Sequence, residues 1–201
     1  MNREAFLGRL SDRLAHAAPP AVKHPPAPPP AEVPRVGFPP DERPLEARFA
    51  AALEAVHGRV TTPSGLPEVL AELEVKTAVT TGEGLPLPDG IEELPLERAR
   101  EADAGFTRAR AACAATGTVL VAPSDNETRM ASLLPRVHVV AVARETLVET
   151  PGDVLRDLAS LFPDGLPSAF ALATGPSKSA DIDGQVVYGV HGPLAVVAVL
   201  I

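Results

Sequence analysis

Apolar residues recur along this chain with two different spacings, and the change from one to the other divides it. Near the start, Phe6, Leu7, Leu10 and Leu14 fall on one side of a helix that Asn2 is placed to cap, with Arg3, Glu4, Arg9, Asp12 and Arg13 around the rest. A second helix is predicted to begin at Pro44, which suits a first helical turn, and to carry Leu45, Phe49, Leu53 and Val56 as far as Gly58. From there, short apolar runs alternate with helical segments. Residues 59–62 and 77–81 read as strands, and 67–74 place Val69, Leu70 and Leu73 on one helical face. Pro86, Pro88, Asp89 and Gly90 make a loop, and the acidic stretch 91–100 a solvated edge. An alanine-rich helix is expected over 103–115, its small side chains allowing close approach to a sheet. The strongest strands are 118–122, 137–142, 169–173 and 194–201, near-continuous runs of Val, Leu and Ala that predict burial on both faces. Residues 151–162 read as a helix with Val154, Leu155, Leu158 and Leu161 facing in.

Strands covered on both faces by intervening helices predict an α/β protein, a three-layer α/β/α sandwich with a mostly parallel sheet. Proline sharpens the boundaries. Eleven of the 23 prolines lie from Pro19 to Pro44, where the spacing suits a polyproline II conformation and core-forming residues are scarce. The expected organisation is an amphipathic helix over 1–18, a proline-rich tether over 19–43 and an α/β domain over 44–201. The tether reads as a spacer before it reads as a ligand for a proline-recognising module.

Composition then removes whole classes of function. The 201 residues are 45% hydrophobic but only 3% aromatic, without tryptophan, so the core is aliphatic. A formal charge of −8 with no basic block argues against nucleic-acid binding through phosphate neutralisation. Cys113 stands alone, which excludes an internal disulfide and an iron–sulfur cluster held by this chain. Neither a secretory signal nor a membrane span is visible, and a reducing cytoplasm is the expected location.

Active sites in open parallel sheets form at the carboxyl ends of strands, so three turns stand out. In Thr174-Gly175-Pro176-Ser177-Lys178-Ser179-Ala180-Asp181, Gly175 permits a backbone that a side chain would forbid, and Ser177, Ser179 and Asp181 suit a following helical turn. Backbone N–H groups there, with Lys178 beside them, suit a phosphate or carboxylate, although a capped strand-to-helix turn without a ligand would use the same residues. It is not a P-loop, since no second glycine precedes Lys178 at the required spacing. In Tyr188-Gly189-Val190-His191-Gly192-Pro193, two glycines free His191 to act as acid, base or anion ligand. The third candidate pairs Thr116-Gly117-Thr118 with Asn126-Glu127-Thr128-Arg129, which bracket the strand 118–122, and in it Arg129 suits a carboxylate and Glu127 a proton-transfer or positioning role. The plainer reading is that Glu127 and Arg129 only solvate a loop. His138 reads as a satisfied core residue and Cys113 as a small buried hydrophobe. No metal-ligand spacing is present, so neither metal nor cofactor is expected in this chain.

The run TGPSKSADIDGQVVYGVHGP, followed by a terminal aliphatic strand, resembles the C-terminal signature of the lactate-utilization protein C family, small members of the LUD (DUF162) group. Upstream, ATGTVLVAPSDNETRMASLLPRVHVV is similar to the same family, where a TGT turn enters a strand and an arginine precedes the SLLP and HVV elements. The resemblance covers about 104–201 and, more loosely, 59–81. It implies a fold like the sugar-phosphate isomerase, CoA-transferase and 5-formyltetrahydrofolate cyclo-ligase group. It also implies a part in oxidising L-lactate to pyruvate alongside iron–sulfur proteins. One departure is Ala115, where the family commonly has an acidic residue before the TGT.

Two functions stay open from sequence. One is an accessory component that binds a carboxylate or phosphate-bearing ligand, the iron–sulfur partners, or both. The other is a free-standing enzyme using a phosphorylated cofactor or substrate, like the cyclo-ligase, isomerase and CoA-transferase relatives. The turns around Gly175, His191 and Arg129 are expected to converge on one anion-accepting pocket. With no redox group of its own, the chain is expected not to oxidise lactate alone. The stripe of the first helix suits a partner protein, its own domain or a second copy of the chain.

Overall fold

Valine, alanine and leucine dominate the segments 137–142 and 195–200, and these become two adjacent inner strands of a six-stranded parallel sheet. In the computed structural model, residues 3–16, 37–38, 40–81, 85–122, 129–180 and 186–201 are described. The sheet contains β1 (Arg59–Thr61), β2 (Thr77–Thr80), β3 (Glu92–Glu93), β4 (Ala104–Arg108), β7 (Val137–Val142) and β12 (Ala195–Leu200). Their spatial order is β1-β12-β7-β4-β2-β3, every neighbouring pair parallel. The protein thus has the mostly parallel sheet with surrounding helices of an α/β fold.

Side chains alternate across the sheet, and each face has its own cover. Val137, Val139, Val197, Val199, Ala104 and Phe106 pack with Leu66 and Leu70 of α3 (Leu66–Glu72). On the opposite face, Val140, Val142, Val196 and Ala198 pack with Phe49 and Leu53 of α2 (Leu45–Ala55), and with a second sheet. That sheet, order β8-β5-β6-β9, comprises β5 (Ala111–Cys113), β6 (Thr118–Val121), β8 (Leu147–Val148) and β9 (Ala171–Thr174). Its inner residues Ala112 and Val119 join the core under α2. Its outer residues Ala111, Cys113 and Leu120 meet Val154 of α5 (Pro151–Arg156) and Leu158 and Leu161 of α6 (Leu158–Leu161). A hairpin of β10 (Lys178–Ala180) and β11 (Val186–Tyr188) completes the strands. The chain divides into two compact units, Met1–Gly37 with α1 (Arg3–His16) and Phe38–Ile201 with everything else described.

Four expectations need correction. The alanine-rich stretch 103–115 is no helix: it forms β4 and β5, and Ala104, Gly105, Phe106 and Thr107 are all buried. Burial on both sides outweighs alanine's modest helix preference. A side chain at Gly105 would place its Cβ 1.7 Å from the carbonyl oxygen of Ala131, so α4 (Met130–Leu133) is what lies against this strand. Second, β9 is buried on neither face, with Leu172 and Thr174 exposed, because it is the edge of the second sheet. Third, the helix over 151–162 is interrupted at Asp157, and Leu155 is exposed while Val154 is buried. Fourth, the turn after Thr174 leads into the extended β10, so no helix follows for Ser177 to cap.

Candidate functional site

The last turn of α2 is the platform on which the sequence-predicted turns meet. Gly58 donates its N–H to the Leu53 carbonyl at 2.9 Å and ends the helix, while His57 sits in the left-handed region at φ 68°. Two turns of the second sheet rest on this end. Gly117 has φ +66°, and a Cβ there would lie 2.4 Å from the Leu53 nitrogen. Gly175 has φ +70°, and a Cβ there would lie 2.7 Å from the Val56 carbonyl oxygen. Both positions need glycine for conformation and for space.

Between these turns the threonine hydroxyls form a chain. Thr118 and Thr174 face each other across β6 and β9, their Oγ1 atoms 2.8 Å apart. Thr118 and Thr116 hydroxyls are 2.6 Å apart, and Thr116 Oγ1 donates to Cys113 Sγ at 3.2 Å. The chain therefore runs from exposed Thr174 through buried Thr118 to Cys113, which is fully buried as the sequence predicts.

The glycine-flanked histidine turn joins the same corner. Ser177 donates its N–H to the Pro193 carbonyl at 3.0 Å and accepts the Gly189 N–H at 2.9 Å. A Cβ on Gly192 would be 3.1 Å from Ser177 Cβ. Tyr188 meets His57 edge to face, ring centroids 5.7 Å apart. Thr116, Gly117, Thr174, Gly175, Ser177 and Gly192 thus share one region with Thr118 and Tyr188, which belong to the predicted turns without an assigned role, and with His57, which lies outside them. Lys178 and His191 are exposed beside it.

Arg129 does not join them by any described contact. It precedes α4, whose Ala131 packs on β4, two strands from β12. Glu127 and Asp181 lie outside the described residues. The location also corrects the sequence expectation. His57 and Gly58 lead into the first residue of β1, and Gly192 to Leu194 into the first residue of β12, so this corner lies at the amino ends of the parallel strands. The turns of the second sheet reach that end, and the sequence reading had merged the two sheets into one.

Two neighbouring features complete the electrostatics. His138 is buried in β7 with Thr107 Oγ1 2.8 Å from its Nε2, and burial pushes its pKa down to about 4, so the ring is neutral. Beside α2, a cleft of about 310 Å³ is lined by Phe38, Pro40, Arg43, Ala52 and Ala115 around Arg48. Arg48 is buried and gives Glu149 a forked pair of bonds at 2.9 and 2.5 Å, and Asp41 O a third at 3.1 Å. Its guanidinium is occupied, and the Arg48 pair reads as an anchor for the segment entering α2. Among the described residues no group of His, Cys, Asp and Glu is placed to hold a metal, and no helix is long and apolar enough to cross a membrane.

The fold, a parallel sheet flanked by helices with a second, mixed sheet against one face, is similar to that of a DUF162 family protein from Deinococcus radiodurans. Its crystal structure superposes with a TM-score of 0.54 at 20% identity, over 78% of this chain and 95% of that one. The chain belongs to the LUD domain family, whose model matches residues 92–201. It is similar to proteins called lactate utilization protein C. One from Shouchella clausii is 40% identical over 100 residues, 49% of this chain and 44% of that one. One from an Exiguobacterium strain is 37% identical over 163 residues, 78% of this chain and 67% of that one. A lactate utilization protein C 1 from Bacillus mycoides is 29% identical, spanning 100% of this chain and 97% of that one.

Proposed function

We propose that this chain is an accessory component of a lactate-utilization system in the cytoplasm, oxidising L-lactate to pyruvate together with iron–sulfur proteins. Its own task is to bind a small carboxylate or phosphate-bearing ligand at the corner of Ser177, Lys178, His191 and Gly192. The observation that carries this reading is that corner. Two exposed basic side chains stand beside a turn held by Gly192 against Ser177, in a chain whose relatives are named for lactate utilization. Lys178 offers a point charge and His191 a titratable donor, the minimum for a carboxylate. The carbonyl end of α2 beneath Gly175 carries partial negative charge, so an anion there depends on the Lys178 and His191 side chains.

Thermal unfolding with L-lactate, pyruvate, inorganic phosphate, ATP and CoA tests the binding. A ligand at 100 times its Kd stabilises the fold by about 2.7 kcal/mol. The expected result is stabilisation by at least one anion that is lost in the Lys178→Ala, His191→Ala double variant. A shift unchanged in that variant overturns the site. Stabilisation by ATP or CoA alone, with turnover by the isolated chain, favours the free-standing enzyme. For the redox role, lactate-dependent dye reduction is expected only when the iron–sulfur proteins are added, and robust reduction by the chain alone refutes it.

A further inference from the structure

The histidine that ends α2 stands where the backbone favours glycine. His57 donates its N–H to Glu54 O and Gly58 its N–H to Leu53 O, both at 2.9 Å. These are the paired bonds of a Schellman turn, and its left-handed residue is His57, at φ 68°. A side chain in that conformation holds strain that glycine would not. Such strain persists where the surroundings or a function require the side chain. Burial does not require this one, because the ring is exposed. It meets Tyr188 edge to face, and Tyr188 is exposed as well.

The register of the hairpin adds a third group. Tyr188 stands directly opposite Lys178, and the hydrogen bond from Gly189 N–H to Ser177 O belongs to the neighbouring pair. Lys178 and Tyr188 are therefore a non-hydrogen-bonded pair, whose side chains leave the same face of the hairpin with Cβ atoms about 5 Å apart. His57, Tyr188 and Lys178 thus stand together in the open. Among the described residues, no protein group hydrogen-bonds or ion-pairs with the imidazole, the phenol or the ammonium.

We propose that His57 is a specificity-determining residue of the candidate site, its ring and the Tyr188 hydroxyl binding an oxygen on the carbon next to a carboxylate that Lys178 neutralises. This rests on the anion-binding reading above and adds the second half of the ligand to it. The three groups differ in chemistry. Lys178 is a charged donor with no acceptor, so it suits the carboxylate. Phenol and imidazole can each donate and accept, so they suit a neutral hydroxyl, which also does both. An ammonium in the place of that hydroxyl would meet Lys178 as a like charge, so the ligand class is a 2-hydroxy carboxylate and not an amino acid. The ligand is also small, because the His57 and Tyr188 ring centroids are only 5.7 Å apart. Water competes for these groups at an exposed corner, so the preference for the extra hydroxyl is about tenfold and not the far larger factor of an enclosed site.

Calorimetric titration of the full chain with L-lactate, and with propionate, which lacks the hydroxyl, measures that preference. The wild type is expected to bind L-lactate about tenfold more tightly than propionate, and His57→Gly to bind the two equally. Thermal unfolding without ligand should move the other way, with relief of the left-handed strain raising the melting temperature of His57→Gly by about 2 °C. Preference lost from a protein that melts no lower separates a ligand contact from a structural one. His57→Asn tolerates the same backbone and keeps a donor and an acceptor, so it should retain a preference of about threefold. A preference for L-lactate that survives His57→Gly overturns the inference, as does a His57→Gly chain that melts below the wild type. Equal binding of the two acids by the wild type overturns it and leaves the anion site standing. Binding of neither acid, or binding unaffected by the Lys178→Ala, His191→Ala double variant, overturns the anion site itself and this inference with it.

Discussion

His138 makes the pH dependence of stability a quantitative test of the core. Its ring is buried in β7 beside Thr107, and burial lowers its pKa from an ordinary 6.5 to about 4. The folded state therefore holds a neutral imidazole, while the unfolded chain takes up a proton as the pH falls through 6.5. Stability from this group is complete above pH 6.5 and declines as the pH drops towards 4, where the folded ring is protonated too. At about 1.4 kcal/mol per pH unit, the whole effect is about 3 kcal/mol, of which about 2 kcal/mol is lost between pH 8 and pH 5. That is a large share of the roughly 5–15 kcal/mol that holds a domain together. The low-pKa carboxyls titrate outside this window. Bonds from Arg43 hold Asp41 at about 2, and bonds from the Thr150 hydroxyl and N–H hold Asp153 below its usual range. Urea unfolding of wild type and His138→Gln from pH 8 to pH 5 isolates the term, because the exposed His57 and His191 are present in both proteins. The wild-type free energy should fall by about 2 kcal/mol more than that of the variant. Parallel curves would refute a desolvated, neutral His138.

Further predictions follow from close contacts. Gly105→Ala forces its new methyl into the Ala131 carbonyl and should cost about 1–3 kcal/mol in chemical unfolding, while Gly152→Ala, where a Cβ within α5 would meet only Thr150 Oγ1 at 3.6 Å and an Arg156 guanidinium nitrogen at 3.8 Å, should be neutral or gain up to about 1 kcal/mol. Equal effects would contradict the packing of α4 on β4. Gly175→Ala combines a left-handed backbone with a 2.7 Å clash and should destabilise by about 1–3 kcal/mol, as read from the melting temperature. Thr118→Val removes the middle hydroxyl of the buried chain and should cost about 1–2 kcal/mol, with Thr118→Ser recovering most of it in the same assay.

The central sheet is legible because its physics is local. Strands buried on both faces need uninterrupted apolar runs, and 137–142 and 195–200 have them. The second helix is equally plain, with Pro44 at its cap and Phe49 and Leu53 inward. The second sheet is hidden because its strands imitate other elements. Ala111, Ala112 and Cys113 have the composition of a helix, yet they form the middle of a layer too thin for larger side chains, with Val119 on one side and Val154 on the other. Gly105 is the one local sign against a helix there, since glycine in a buried segment marks a close approach.

The candidate site was half legible for a related reason. Glycines at 117, 175 and 192 announce turns without side chains, and the structure sets all three against other segments: Leu53, Val56 and Ser177. What sequence cannot supply is which end of the sheet those turns reach. A turn after a parallel strand lies at the carboxyl ends, but Thr174 closes a strand that pairs antiparallel with β6 in the second sheet, whose direction is independent of the six-stranded one. The chain returns from that sheet past the last turn of α2, and there Tyr188 meets His57, a residue 131 positions earlier that carries no motif. Thr118 was visible as the last letter of the TGT turn, but its role needed the register that sets it opposite Thr174. Arg129 failed to join for the converse reason: it stands close in sequence to β6 but belongs to α4, which Gly105 draws over β4 and away from the corner. Spacing along the chain identified the residue types, and the direction of a small second sheet decided which of them meet.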